Sequence, residues 1–144
     1  ATFRESAPDH ITASALIFSA EHDQVALLFH PKFDRWLQMG GHCESSDADL
    51  PAAALREACE ESGLLDADLE LDPRPVLLSR HAVKCWPDGS HYDVQFMAVA
   101  ARGATLTCSS ESTEVRWFDL DEALKVSDES VSRLVKASLQ RLGA

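Results

Sequence analysis

Apolar positions along this chain come in short blocks separated by polar breaks, and the period changes from block to block. Ile11 to Ser19, rich in β-branched and apolar residues, predicts a strand. After the polar break Glu21-His22-Asp23-Gln24, Val25 to His30 predicts its hairpin partner. Pro31 to Arg35 predicts a turn, and Trp36 to Met39 a short extended segment entering a turn at Gly40-Gly41. Asp49, with Pro51 just behind it, marks the start of a helix that runs to Ser62. Leu69 to Arg74 predicts a loop and Val76 to Val83 a strand. Trp86-Pro87-Asp88-Gly89 is a turn signal, and His91 to Val99 alternates as the returning strand. Val115 to Phe118 predicts a last short strand and Asp119 to Lys125 a short helix. Asp128 caps a final helix whose apolar stripe is Val131, Leu134, Val135, Leu139 and Leu142. Strands, an internal helix, more strands and a closing helix make a mixed α/β layout. With no repeat, linker or low-complexity tract, residues 1–144 read as one domain, long enough to bury a core.

The internal helix carries the chemistry. At about 100° per residue, Glu57, Glu60 and Glu61 share one face, with Ala52, Leu55, Ala58 and Cys59 opposite and Arg56 on the border. Gly63 is placed to end the helix, and Leu64 to fold back onto its last turn. Glu57 and Glu61 are a like-charged i,i+4 pair, and Glu60 and Glu61 sit where the helix dipole disfavours negative charge. A hard divalent cation reverses both penalties, because Mg²⁺ prefers oxygen ligands. The plainer reading of such a pattern is a solvated acidic face. The glycines on either side, Gly40-Gly41 before it and Gly63 after it, tip the balance towards a site.

These residues resemble the signature of the Nudix hydrolases: Gly, five residues, Glu, seven residues, then Arg-Glu-aliphatic-x-Glu-Glu-x-Gly-aliphatic. Arg56, Glu57, Glu60, Glu61, Gly63 and Leu64 match one for one. Gly41 takes the opening glycine. Asp47 stands for the first Glu, and residues 48 to 55 are one more than the pattern holds. Ala58 replaces a larger aliphatic residue, and Met39 stands where many members have Pro. The resemblance implies an α/β/α sandwich with a mixed sheet and the signature helix, 50–62, on one side. It implies Mg²⁺, or Mn²⁺ in its place, held by Glu57, Glu60, Glu61 and the backbone carbonyl of Gly40. The general base varies in the family. Glu61 ranks first, and Glu111 or Glu114, before the last strand, are the alternatives. Arg56 reads as a brace for the acids, pairing with Glu60, Asp47 or Glu44. Gly40, Gly41 and His42 are the candidate substrate contacts, since the glycines let backbone approach phosphate closely. His42 also reads as a plain surface-turn histidine, and His81 as a strand residue, while His91-Tyr92-Asp93 begins a strand that either lines the pocket on one face or forms a plain strand-end cluster. Phe33, Trp36, Trp86 and Tyr92 are candidate stacking partners for a base, whereas Trp117 reads as core.

Charge and cysteines narrow the partners. A formal net charge of -11 argues against a nucleic acid polymer, but not against a metal-complexed nucleotide. No apolar run is long enough to cross a bilayer, and residues 1 to 10 do not read as a signal peptide. Cys43, Cys59, Cys85 and Cys108 form neither C-x-x-C nor a zinc spacing, and read as reduced thiols of a cytoplasmic protein. The expected activity is Mg²⁺-dependent hydrolysis of the diphosphate linkage in a nucleoside diphosphate joined to another moiety. The partner is thus a small diphosphate, with a monomer and a homodimer both open. The alternative is a binding module that keeps the fold without cleaving. Such modules usually lose a signature acid, and this chain keeps all three on the helix. An isoprenyl diphosphate isomerase would need further Cys and Glu motifs, and a calcium loop of the D-x-D-x-D-G kind is absent from the sequence.

Overall fold

The structure, a computed structural model, describes residues 10–31, 34–43, 46–82, 90–107 and 114–143; the side chains at 10, 42, 80–82, 90 and 91 lie outside that description. Among the described residues, eight strands and three α-helices follow one another. They are β1 (His10–Phe18), β2 (Gln24–His30), β3 (Arg35–Leu37), β4 (Met39–His42), α1 (Leu50–Ser62), β5 (Leu69–Leu71), β6 (Leu77–Ala82), β7 (Ser90–Ala100), β8 (Glu114–Asp119), α2 (Leu120–Val126) and α3 (Glu129–Gly143). A single 3-10 turn, Asp66–Asp68, precedes β5.

Strand β1 is the axis of the mixed sheet. On one side it runs parallel to β7, His10 beside His91 through Phe18 beside Val99. On the other side its first half pairs with β4, Thr12 to Ala15 against His42 to Met39. Its last residues, Ile17 and Phe18, pair with β2. The expected hairpin is therefore brief, because β2 peels away to pair with β8 and β3. Strand β7 is flanked on its far side by β6 and β5.

Both faces of the sheet are covered, which explains why β1 reads as a near-continuous apolar run. Ala13, Ala15 and Ile17 face α1 in one core cluster. Leu16 and Phe18 face the other way, in a cluster with Val131, Leu134 and Val135 of α3. The α1 contact is built from small residues on both sides: Ala13 and Ala15 on the strand, Ala53, Ala54 and Ala58 on the helix. Small side chains let the helix axis come close to the sheet, and that approach brings its acids to β4.

Helix α1 has the predicted limits. Asp49 accepts a hydrogen bond from Ala52 N at 2.9 Å and caps its start. Gly63, at φ 78°, ends it, with its N–H on Cys59 O at 3.0 Å. A Cβ at residue 63 would run into Thr107, whose own N–H donates to Ser62 O at 2.8 Å. The C-terminal turn of α1 is thus clamped from outside. Asp128 likewise caps α3, accepting from Val131 N at 3.0 Å.

Three expectations are corrected. Residues 69–71 form strand β5, where a loop was expected, because Ala98 to Ala100 of β7 offer them a free edge. Gly40 and Gly41 lie inside strand β4, not in a turn. The buried side of α1 is Ala53, Ala54, Ala58 and Ser62, while Ala52, Leu55 and Cys59 are only partly buried. The helix is rotated so that Glu57 and Glu61 border the sheet instead of standing opposite it.

Candidate active site

That rotation decides the geometry of the acids. Glu61 and Glu57 are partly buried beside β4, whereas Glu60 is 59% exposed at the side chain. Glu61 Oε1 accepts the Gly40 N–H at 2.7 Å. Among the described residues β4 pairs only with β1, so its outer edge is open to this carboxylate. The Glu57 carboxylate lies where a side chain on Gly41 would be: a Cβ there would stand 2.6 Å from Glu57 Oε1 and 2.8 Å from Oε2. Both glycines are therefore needed for close approach, Gly41 towards the helix and Gly40 towards Ser14 on the far face.

Arg56 holds the other side of the cluster. Its Nε and Nη2 grip Asp47 in a bidentate pair at 2.9 and 3.1 Å. Its Nη1 reaches both Glu57 Oε1 and Glu60 Oε1 at 3.1 Å. Hydrogen bonding to Asp47 raises the Arg56 pKa well above its ordinary value, against an opposing effect of burial, and the charges of Glu57 and Asp47 add to the rise. Asp47, one residue out of register with the signature, still meets the arginine because the 48–55 stretch carries the extra residue around the start of α1. Burial pushes the Glu61 carboxyl up to about 7. The Gly40 N–H opposes that push, and the charges of Glu57 and Glu60 add to it.

The donors suit a hard divalent cation: oxygen atoms only, two carboxylates converging on the Gly40-Gly41 backbone, and a third acid one turn away. Among the described residues no three His, Cys, Asp or Glu side chains are drawn together tightly enough to grip one ion. Glu57 and Glu60 are turned to Arg56, the counter-charge at hand.

The remaining sequence candidates scatter. Glu114 opens β8, opposite Phe29 of β2, and pairs with Arg116 at 3.4 Å. Glu111, Glu44, Phe33, Trp86, Cys85 and Cys108 lie outside the described residues. His42 lies in β4, and the side chains of His42, His81 and His91 are likewise outside. Cys43 is buried and Cys59 partly so, with burial pushing the Cys59 thiol up. Trp117 is partly buried against the α1-side core.

A second group lies on the sheet face turned away from α1, and of it the sequence offered only Asp93, in the strand start His91-Tyr92-Asp93. Asp93 of β7 accepts from Thr12 Oγ1 at 3.0 Å, Ser14 Oγ at 2.9 Å, Gln95 Nε2 at 3.1 Å and, more loosely, Gln38 Nε2 at 3.5 Å. The alternation of Thr12 and Ser14, and of Asp93 and Gln95, was visible in the chain, but only the parallel register of β1 and β7 sets them side by side.

The likeness to known proteins agrees with this layout. The chain resembles the C. elegans Ap4A hydrolase in a binary complex, with a TM-score of 0.79 at 19% identity over 93% of this chain and 98% of that one. It resembles the NUDIX domain of Shewanella oneidensis NrtR complexed with ADP ribose, with a TM-score of 0.72 at 19% identity over 99% and 94%. It also resembles a bifunctional NMN adenylyltransferase/ADP ribose pyrophosphatase of Francisella tularensis complexed with AMP and a Mn ion, with a TM-score of 0.63 at 18% identity over 93% and 42%. At such identities these likenesses establish the α/β/α fold. No match is found among curated proteins. The sequence profile described as NUDIX domain matches residues 8–138, a span that takes in all eight strands and α1, and so the chain belongs to the NUDIX domain family.

Proposed function

We propose that this chain is a Mg²⁺-dependent Nudix hydrolase that cleaves the diphosphate linkage of a nucleoside diphosphate joined to another moiety. The observation that carries the reading is the Glu57–Glu61 pair converging on Gly40 and Gly41, with Arg56 bracing the acids from behind. Glu57, Glu60, Glu61 and the Gly40 carbonyl would hold Mg²⁺, or Mn²⁺ in its place. When bound, the cation supplies positive charge for the phosphoryl oxygens and favours ionisation of the attacking water. The chain's own residues do the rest. Gly40 N–H fixes Glu61 Oε1, which leaves Oε2 to take the proton of the water. Arg56, locked by Asp47, holds Glu57 and Glu60 in fixed rotamers. Gly41 leaves room for the Glu57 carboxylate to lie against β4. Glu114, tied to Arg116, is not used as a base in this reading.

The Ap4A hydrolase and the ADP ribose complex among the similar structures suggest the assay panel. Dinucleoside polyphosphates and ADP-ribose are incubated with the protein and Mg²⁺, and phosphate is read after a coupled phosphatase. Turnover of at least one is expected, with kcat lowered by about 100-fold or more in Glu61→Gln and in Glu60→Gln. Turnover that persists in EDTA, or full activity in both variants, overturns the proposal. A nucleotide recovered intact after long incubation with metal would favour the binding-module alternative.

A further inference from the structure

The chain from Trp36 to Gly40 crosses from the β2 side of the sheet to the β1 side, and Trp36, Gln38 and Gly40 all present to the face turned away from α1. Three contacts show it. Trp36 packs edge-on against Phe118 of the α3-side core, with ring centroids 4.8 Å apart. Gln38 Nε2 donates to Ser14 Oγ at 3.4 Å and lies 3.5 Å from Asp93 Oδ2. A Cβ on Gly40 would run into Ser14. Extended chain advances about 3.3 Å per residue, so Gln38 lies roughly 7 Å and Trp36 roughly 13 Å from Gly40 along the strand.

Each position offers a different chemistry. At Gln38 the amide nitrogen is committed to Ser14 and Asp93, which turns the carbonyl the other way. Gln38 Oε1 is buried and has no hydrogen-bond partner among the described residues. An orphaned buried acceptor calls for a donor. At the far end the Arg116 guanidinium lies over two rings, its Cζ 5.0 Å from the Trp36 centroid and 4.7 Å from that of Phe118. The Arg116 side chain is 52% exposed, so its plane and the open part of Trp36 offer a flat cationic and aromatic surface.

We infer that Gln38, Trp36 and Arg116 are the specificity-determining residues of the site, with Gln38 Oε1 accepting from a pentose hydroxyl and Trp36 with Arg116 stacking a planar base. The two steps along the strand follow the order of a nucleotide: diphosphate at Gly40, pentose at Gln38, base at Trp36. The inference rests on the proposed diphosphate site at Gly40. Asp93 is a positioning residue in this scheme, since its carboxylate orients the Gln38 amide.

Calorimetric titration with ADP and with methyl diphosphate, both in Mg²⁺, tests it independently of turnover. The two ligands share the diphosphate and differ in the nucleoside. Wild type is expected to bind ADP at least about five-fold more tightly than methyl diphosphate. Trp36→Leu should erase that preference and Trp36→Phe should retain most of it, with methyl diphosphate affinity unchanged in both. Arg116→Lys keeps the charge, loses the planar stack and sits on an exposed position, so it reads the same effect if Trp36→Leu folds poorly. Gln38→Leu should weaken ADP alone by about three-fold or more. Equal affinities for the two ligands in wild type, or a preference untouched by all three positions, overturns the inference even if hydrolysis is demonstrated. An ADP preference that follows the variants in a protein without turnover sustains it while the hydrolase reading fails.

Discussion

At the scale of single residues, burial and pairing set the behaviour of two acids. Glu61 has an ordinary value of 4.5 and is pushed up to about 7 in the folded, metal-free protein. Between those values the native state keeps a proton that the unfolded chain has lost. Its contribution to stability is therefore full below about 4.5 and declines as pH rises to about 7. Urea denaturation of metal-free wild type should show a steeper loss between pH 5 and pH 7.5 than Glu61→Gln, by up to about 1.4 kcal/mol per pH unit. Parallel pH profiles for the two proteins would refute this. Asp47 is the second case. Its side chain is 5% exposed and its partner Arg56 21%. Asp47→Asn removes the bidentate partner of a guanidinium that keeps Glu57 and Glu60, and should cost about 1–2 kcal/mol in the same denaturation, below the range for breaking buried pairs. Loss of metal affinity should accompany it, because Arg56 then no longer fixes Glu57 and Glu60.

At the scale of elements, the site is a contact between α1 and β4, and the two glycines of β4 differ in what surrounds them. A Cβ on Gly40 meets the Ser14 side chain and, within 3 Å, the Ser14 Cα and the Ala13 carbonyl, all part of a paired strand. Nothing there can yield without breaking the sheet. A Cβ on Gly41 meets the far end of Glu57, which can swing away. Gly40→Ala should therefore lower the melting temperature sharply, by about 2 kcal/mol or more of stability. Gly41→Ala should melt close to wild type yet bind Mg²⁺ or Mn²⁺ at least several-fold more weakly. Differential scanning calorimetry and metal titration separate the two, and equal effects on both readouts would contradict the assignment of faces. The clamp of Thr107 on Ser62 and Gly63 belongs to the same scale: it fixes the turn that follows Glu61 from outside the helix.

At the scale of the whole molecule, the charge of -11 would repel the anionic diphosphates proposed as substrates. Like charges slow encounter, and salt screens the repulsion over a Debye length of about 10 Å at 0.1 M. With Mg²⁺ held saturating, kcat/KM for whichever diphosphate of the assay panel is turned over should rise with NaCl from 10 to 150 mM, with kcat nearly constant. A steep fall in kcat/KM over that range would mean that local positive charge outweighs the overall field.

The sequence by itself determined the helix of acids and its limits. Asp49, Pro51 and Gly63 act through the backbone next to them, and the spacing of Glu57, Glu60 and Glu61 is fixed by helical period alone. The apolar block of β1 and the stripe of α3 were legible for the same reason: each is a local pattern that one element expresses unaided. Tertiary structure decided what those patterns face. Only packing of small residues on the sheet set the rotation of α1, which brings Glu57 and Glu61 to the edge of β4 and leaves Glu60 outward. Only the parallel register of β1 and β7, made across about eighty residues of chain, placed Asp93 beside Thr12 and Ser14. Strand β5 and the straight path through Gly40-Gly41 likewise formed because distant strands offered edges. Local propensity carries no record of which edge will be free, so the surroundings of the acids lay beyond the reach of spacing, while their place on one helix did not.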